Sequence, residues 1–382
     1  MKIVLAPDSF KESLSAAEVA AALAEGLALA LPDARLVCVP VADGGEGTLD
    51  ALLAATGGHA YPVSVQGPLV DTVTARLGVL GDDEVAVIES AQAAGLALVP
   101  PDLRDPMRTT SFGIGELVLA ALDRGLRRFV VCLGGTATVD GGAGMLQALG
   151  AVFLDRQGRP LAAPLRGADL DQVARVRLDR FDPRVAASDF QIACDVDNPL
   201  TGPLGAAAVF GPQKGATPVQ IPRMDAGLDK LHRALAANTG RQVAELPGAG
   251  AAGGLGAAAL ACLPGGLRPG IDLVMDAVGL AGHLAGADLV VTGEGRVDSQ
   301  TLHGKAPAGV ARLARSLGVP VIAVGGSLPA DLNLLLDETF DAFESVVTKS
   351  CDLAEALANA RPQLVAAGVR LGRWLTLLDA RP

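Results

Sequence analysis

The chain has 382 residues, a length that favours two domains over a single hydrophobic core. Half of its residues are hydrophobic and 19% are charged, which excludes an intrinsically disordered chain. The net charge of −11 argues against nucleic acid or an anionic membrane surface as the main partner. The five cysteines lie far apart without a C-x-x-C pair. This spacing disfavours a disulfide framework or a zinc site and fits a reducing, cytoplasmic location.

The first sixty residues predict two strand–helix units. Lys2–Ala6 is a short apolar strand, and its apolar run is too short for the core of a signal peptide. Ser15, followed three residues later by Glu18, forms a capping box that starts an alanine-rich helix. Leu36–Val41 predicts the second strand, and a glycine-rich segment after it leads into the second helix.

The pattern changes in the middle of the chain. Residues 59–87 contain short β-rich segments broken by Gly, Pro and Asp, which predict an antiparallel meander. A helix near Thr110–Asp123, a strand over Arg128–Leu133 and a helix from about Ala143 follow. Residues 151–190 predict hairpins and surface connections, and a further strand is expected directly after them.

One uncharged stretch, Gly248–Leu267, is long enough to span a bilayer. Its residues are mostly Gly and Ala, which gain little on entering hydrocarbon, and Pro264 interrupts it. We therefore expect a tightly packed interior helix. The segment Gly248–Gly253 matches G-x-G-x-x-G as a string, but no convincing strand precedes it, so it is weak evidence for a dinucleotide site.

The C-terminal third returns to alternating strands and helices. Strands are predicted over Leu289–Thr292 and Val319–Val324, with a weaker strand over Phe340–Val347. Alternation at both ends of the chain with a meander between them predicts an α/β protein of two domains.

The predicted fold is a doubly wound parallel-sheet domain formed by both ends of the chain, with a mixed α/β domain inserted in the middle. The first domain is expected to comprise residues 1–60 and 285–382, and the inserted domain residues 61–284. Because ligands of open parallel sheets bind beyond the carboxyl ends of the strands, the loops after the strands are the candidates for a site.

Five such loops are rich in glycine and carboxylates: Asp8–Lys11, Asp43–Thr48, Gly134–Gly144, Asp195–Pro199 and Gly293–Lys305. Glycine lets backbone amides approach a phosphate closely, and carboxylates beside a phosphate make sense when a divalent cation lies between them. The combination favours phosphoryl transfer with magnesium. Each loop taken alone is also typical of an ordinary turn.

Local cations support an anionic ligand in this acidic protein. Lys11, Lys214 and Lys305 fall in or beside glycine or proline loops, and Arg108 and Arg296 are weaker candidates. From the residues alone, three classes stay open: a kinase, a nicotinamide-dependent oxidoreductase acting on a hydroxy acid, and a non-catalytic sensor of a hydroxy acid.

Eight segments in order carry a resemblance to a known family: residues 6–16, 40–48, 88–96, 109–117, 134–150, 194–216, 250–259 and 290–307. They include APDSFKESLSA, PVADGGEGT, GGTATVDGGAGMLQALG and VVTGEGRVDSQTLHGKAP. Over essentially its whole length the chain resembles the bacterial glycerate kinase family of the type without a Walker A loop.

The resemblance implies transfer of the γ-phosphoryl group of ATP to D-glycerate with Mg²⁺. This type is associated with the 2-hydroxyl, giving 2-phosphoglycerate; phosphorylation of the 3-hydroxyl, or of a related small hydroxy acid, is the alternative. It also implies two α/β domains, one of them flavodoxin-like, with the site in the cleft between them. Neither a membrane nor nucleic acid is expected as a partner, and the sequence leaves a homodimer open.

Within that resemblance, five roles are needed for phosphoryl transfer, and we assign them as hypotheses. The phosphate cradle is expected from Gly134, Gly135, Thr136, Gly293, Glu294 and Gly295. The metal is expected at Asp195 and Asp298, and the transferred phosphate at Lys11 and Lys305. Glycerate is expected at Ser9, Arg108 or Lys214, with Asp43 or Asp197 orienting the attacking hydroxyl.

Overall fold

The computed structural model describes residues 1–298, 301, 305–328 and 339–379. The strands in chain order are β1 (Lys2–Leu5), β2 (Arg35–Cys38), β3 (His59–Gln66), β4 (Thr72–Val79), β5 (Val85–Glu89), β6 (Arg128–Cys132), β7 (Val152–Leu154), β8 (Arg175–Arg177), β9 (Asp189–Ala193), β10 (Gly265–Arg268), β11 (Leu289–Arg296), β12 (Val321–Ser327) and β13 (Ala342–Ser345).

The α-helices in chain order are α1 (Ala16–Ala30), α2 (Thr48–Thr56), α3 (Ser90–Ala94), α4 (Phe112–Asp123), α5 (Ala143–Ala148), α6 (Pro183–Ala186), α7 (Ala206–Phe210), α8 (Gln220–Thr239), α9 (Ala251–Cys262), α10 (Gly270–Ala277), α11 (Leu280–Leu284), α12 (Ala306–Ser316), α13 (Leu353–Ala358) and α14 (Ala360–Asp379). The capping box predicted at the start of α1 is confirmed. Ser15 is its N-cap, and the Glu18 side chain bonds back to the Ser15 amide at 2.9 Å. Within the described residues, no helix is both long enough and apolar enough to span a membrane.

Contacts within the chain define two compact units. Unit 1 contains the described residues of Met1–Asp43, Asp50–Gly57 and Ile271–Pro382. Unit 2 contains Gly44–Leu49 and Gly58–Gly270.

The central sheet of unit 1 is parallel throughout the described residues, with strand order β13-β12-β11-β1-β2. Counted along the chain this is the 2-1-3-4-5 order of flavodoxin-like folds, and it confirms the predicted α/β parallel-sheet class. The register of β1 is set on both sides, because Ile3 pairs with Leu289 of β11 and with Leu36 of β2. The carboxyl ends of β1, β11 and β12 therefore meet at one edge of the sheet.

Helices α1 and α14 cover one face of this sheet. Ile3 and Leu5 join their apolar cluster, while Val4, which alternates to the other face, is also fully buried. The two helices approach closely because Gly26 of α1 has no side chain. A Cβ added there would overlap the backbone carbonyl of Val365 in α14.

Unit 2 is built on a mixed sheet of order β10-β9-β6-β5-β4-β3. Strands β3, β4 and β5 form the predicted antiparallel meander, whereas β5, β6, β9 and β10 are parallel to one another. The aromatic rings of Phe129 and Phe190 stack at 4.4 Å between neighbouring parallel strands. Strands β7 and β8 pair antiparallel where hairpins were expected, but a long connection that contains a 3₁₀ helix over Gly167–Gln172 separates them.

The uncharged stretch is only partly the interior helix that its composition predicts. Helix α9 is buried, but Ala252, Gly253 and Gly254 at its start are in the left-handed region, and the end of the stretch is β10 rather than helix. Pro264 and the positive φ of Gly265 separate the helix from the strand. The G-x-G-x-x-G string has a packing reason, because a Cβ on Gly253 would overlap the backbone carbonyl of Thr138.

Candidate active site

Unit 1 contains a cavity of about 770 Å³ at the carboxyl ends of its parallel strands. Six residues predicted from the sequence line it: Ser9, Lys11, Glu294, Gly295, Asp298 and Lys305. They come from the loop after β1 and from the end of β11 with the segment that follows. Residues 299, 300 and 302–304 of the predicted loop lie outside the described residues.

An ion-paired group forms the charged part of this cavity. The Lys305 Nζ donates to Glu294 Oε2 at 3.0 Å and lies 3.8 Å from Asp298 Oδ1. The other oxygen of Glu294, Oε1, accepts a hydrogen bond from the Thr301 hydroxyl at 2.7 Å. Arg296 lies 3.4 Å from the remaining oxygen of Asp298. These contacts hold a lysine, which suits an anionic ligand, in a fixed position beside two carboxylates.

Asp8, directly after β1, is the most perturbed carboxyl group of the cavity. Its pKa is raised to about 7, mainly by burial and then by the charge of Asp43, although the hydrogen bond from the Ser9 amide acts in the opposite direction. Its own backbone amide donates to the Gly293 carbonyl, which fixes the turn against β11. A carboxyl with a pKa near neutrality can take up or release a proton at physiological pH.

Gly293 lies inside β11 rather than in a loop. A Cβ added there would overlap the backbone carbonyl of Val324 on the neighbouring strand. The close approach of two parallel strands therefore explains this glycine. Its predicted part in a phosphate cradle stays a prediction.

In unit 2, the glycine loop after β6 is organised by a buried carboxylate, Asp140. Its Oδ2 accepts hydrogen bonds from the Ser111 amide, the Ser111 hydroxyl and the Gly144 amide, and its Oδ1 accepts from the Gly142 amide. Burial raises the pKa of Asp140, and the four hydrogen bonds oppose that effect by stabilising the charged form. The loop is thus held from inside the unit.

Lys214 lies beside the same loop and is buried. Its ammonium group donates to the Thr136 hydroxyl at 3.1 Å and to the Thr138 carbonyl at 2.8 Å. The pKa of Lys214 is lowered to about 7 because the effect of burial exceeds the opposing effect of Asp140. The structure therefore shows Lys214 binding the glycine loop, and its predicted contact with glycerate stays a prediction.

The remaining predicted residues of unit 2 occupy two segments. Gly134 exchanges hydrogen bonds with the buried Ser90 hydroxyl, and Gly135 has a positive φ. Asp195 accepts a hydrogen bond from the Gly270 amide at 2.8 Å. The structure places Arg108 and Asp197 on the protein surface, both exposed.

Comparison with known proteins decides the family. The model of the glycerate kinase family matches residues 3–376. The chain belongs to the glycerate kinase family. It is 44% identical to a glycerate kinase of Haemophilus influenzae, covering 98% of this chain and 99% of that protein. It is 45% identical to a glycerate 2-kinase of Escherichia coli, covering 99% and 98%.

A solved structure supports the same membership. The crystal structure titled as a putative glycerate kinase 2 from Salmonella typhimurium superposes with a TM-score of 0.91 at 46% identity and covers all of both chains. This member of the glycerate kinase family is therefore an enzyme, a kinase.

Kinases commonly use a divalent cation, and some side chains of unit 1 are suited to bind one. Within the described residues no group of three or more His, Cys, Asp or Glu side chains forms a cage for a metal ion. Mg²⁺ is, however, commonly held by one or two carboxylates, with waters and substrate phosphates as the other ligands. Asp298, at the cavity of unit 1, supplies hard oxygen donors of this kind, and Asp195 supplies them in unit 2.

Three buried carboxylates of this glycerate kinase family member had no assigned role in the sequence-based hypotheses. They are Asp8, Asp140 and Glu89, whose Oε1 accepts a hydrogen bond from the Leu49 amide near the start of α2. All three lie inside segments that carry the resemblance. Their signal in the sequence is an acidic residue within an otherwise apolar or glycine-rich segment. Such a residue is expected to be buried, and a buried carboxylate needs several hydrogen-bond donors.

Proposed function

We propose that the protein transfers the γ-phosphoryl group of ATP to the 2-hydroxyl of D-glycerate, giving 2-phosphoglycerate and ADP. The observation that carries the proposal is the relative named glycerate 2-kinase, which is 45% identical over nearly the whole chain. The lysine-containing cavity of unit 1 supports it, because an acidic protein with an anionic substrate needs local cations. Other relatives are named glycerate kinase without stating the hydroxyl.

The proposed roles follow the charged groups of unit 1. Lys305 and Lys11 interact with the transferred phosphate, and Asp298 takes part in holding Mg²⁺, which when bound neutralises charge on the phosphate oxygens. Asp43 lies close enough to Asp8 to raise its pKa, so either carboxylate can accept the proton of the attacking hydroxyl. Units 1 and 2 correspond, in this proposal, to the domains predicted as residues 1–60 with 285–382 and residues 61–284. The protein is proposed to act in the cytoplasm.

Phosphorus NMR of the product formed from D-glycerate and MgATP tests activity and regiochemistry together. A doublet from coupling of phosphorus to the single C2 proton is expected for 2-phosphoglycerate. A signal coupled to the two C3 protons would show 3-phosphorylation instead, and unchanged ATP would contradict the proposal.

Variants then test the assigned residues. Lys11→Ala, Lys305→Ala and Asp195→Asn should each lower kcat/KM by roughly 10²–10⁴-fold, because each removes a charged group to which we assign a role in phosphoryl transfer. Lys230→Ala, a half-exposed lysine of α8, is the matched control and should leave kcat/KM nearly unchanged. If all three site variants kept near-normal turnover, the assignments would be wrong.

A further inference from the structure

The cavity of unit 1 has two chemically different parts, and their positions follow the strand order. Most of its charged residues follow β1 and β11, with Asp352 before α13 as the exception. Phe10 and Val297 add apolar surface beside them. The other apolar lining residues follow β12 and β13 or belong to α13 and α14, and they include Leu328, Val346, Val347, Leu353, Leu357 and Ala360.

The described residues cover the apolar part incompletely. Leu353 lines the cavity with 72% of its surface exposed, so its side chain is free to pack against a ligand. Glycerate has three carbons and no apolar surface, so it would leave this wall in contact with water. A flat heterocycle would cover it and bury apolar area. The volume of about 770 Å³ is in the range of pockets that enclose ligands larger than glycerate.

A polar atom at the same wall points to the chemistry of that heterocycle. The Oε1 of Gln363, in the first turn of α14, is buried and has no hydrogen-bond partner among the described residues. Gln363 lines the cavity. A buried acceptor without a partner is unfavourable, and a ligand that brings an N–H donor would satisfy it. The exocyclic amino group of adenine is such a donor.

We infer that the cavity of unit 1 holds the adenine nucleotide, with the base against the α13 wall and its amino group donating to Gln363. The polyphosphate then extends across the carboxyl ends of the strands toward Lys305 and Lys11, which follow β11 and β1. This inference rests on the proposed function, which makes ATP the phosphoryl donor. It adds where the nucleoside binds and which residue recognises the base.

A thermodynamic cycle that combines one substitution in the protein with one modification of the nucleotide tests the contact with Gln363. Binding of ADP and of purine riboside 5′-diphosphate, which lacks the amino group, is measured by titration calorimetry in the presence of MgCl₂. The wild type should prefer ADP by about tenfold, the effect of one buried hydrogen bond. In Gln363→Leu the two ligands should bind about equally, whereas Gln157→Leu, an exposed control in unit 2, should keep the preference.

A second variant tests the position of the base. Ala356 of α13 lines the cavity, and Ala356→Phe should fill the apolar part and weaken binding of both nucleotides by at least tenfold. Unchanged ADP affinity in this variant would overturn the inference. If Ala356→Phe does not fold, the ligand cycle decides alone, because it compares two ligands on one protein.

The outcomes separate this inference from the proposed function. If the wild type phosphorylates D-glycerate with ATP but Gln363→Leu keeps the tenfold preference for ADP, only the inference is overturned. A wild type that binds no adenine nucleotide overturns both.

Discussion

The Asp140 carboxylate accepts two hydrogen bonds from Ser111, one from its amide and one from its hydroxyl, both at 2.7 Å. The same hydroxyl accepts a hydrogen bond from the Met145 amide at 3.0 Å. Ser111→Ala should therefore lower the free energy of unfolding by about 1–3 kcal/mol, because the buried Asp140 carboxyl loses one donor and the Met145 amide loses its acceptor. Urea denaturation followed by circular dichroism measures this change.

The control for Ser111 is a serine whose hydroxyl bonds only to its own helix. Ser316 donates to the Leu313 carbonyl and is exposed. Ser316→Ala should change the free energy of unfolding by less than about 0.5 kcal/mol. Equal losses in the two variants would show that the Asp140 network contributes nothing specific.

Replacing Lys214 should change how stability depends on alkaline pH. Its pKa is lowered to about 7 in the folded protein, so above that pH the folded state loses the Lys214 proton while the unfolded chain keeps it. Stability therefore rises with pH in this range. The free energy of unfolding should gain roughly 3 kcal/mol from this group between pH 7 and pH 9.5, and Lys214→Met should lack that gain. Denaturation curves at the two pH values measure it, with Lys230→Met as the control.

Asp8 should give the opposite dependence. Its pKa is raised to about 7, so the stability associated with its protonated form is fully present below about pH 4 and is lost as pH rises through 7. Relative to Asp8→Asn, the wild type should lose roughly 3–4 kcal/mol of unfolding free energy between pH 4 and pH 8. An exposed carboxylate of the same unit, Asp33, serves as the control through Asp33→Asn. If the unfolding free energies of wild type and Asp8→Asn changed in parallel with pH, the raised pKa of a buried Asp8 would be contradicted.

Gly26→Ala should destabilise unit 1 although alanine favours helix. The added Cβ would overlap the Val365 carbonyl, so α1 and α14 must separate, at a cost of about 2–3 kcal/mol. Gly282→Ala in α11 is the matched control, because nothing lies within 4 Å of its added Cβ. That change should be neutral or stabilising by up to about 1 kcal/mol. Thermal unfolding distinguishes them, and a stabilised Gly26→Ala would refute the close helix contact.

The features that the sequence predicted well depend on local interactions. The Ser15–Glu18 capping box sets the start of α1, and alternation of strands and helices gives the parallel sheet of unit 1. The loops after β1 and β11 were expected to carry charged site residues, and Lys11 and Lys305 do line one cavity.

The features that sequence reasoning missed depend on contacts between distant segments. Strand β10 pairs with β9, a partner more than sixty residues away, so its apolar glycine-rich sequence gave no local sign of a strand. Lys214 and the Thr138 carbonyl are likewise 76 positions apart. In the sequence, the position of Lys214 next to a glycine suggests an accessible lysine that binds an anionic ligand. Only the folded structure shows that its side chain is buried.

Strand β1 pairs with β2 on one side and with β11 on the other, and this arrangement constrains the order of folding during synthesis. The ribosome must add the residues from Cys38 to Leu289 before the second neighbour of β1 exists. At typical elongation rates this takes roughly 10–50 s. During that interval the amino-terminal strands have an unpaired, aggregation-prone edge, so we expect nascent chains to depend on a chaperone until the carboxyl-terminal third emerges.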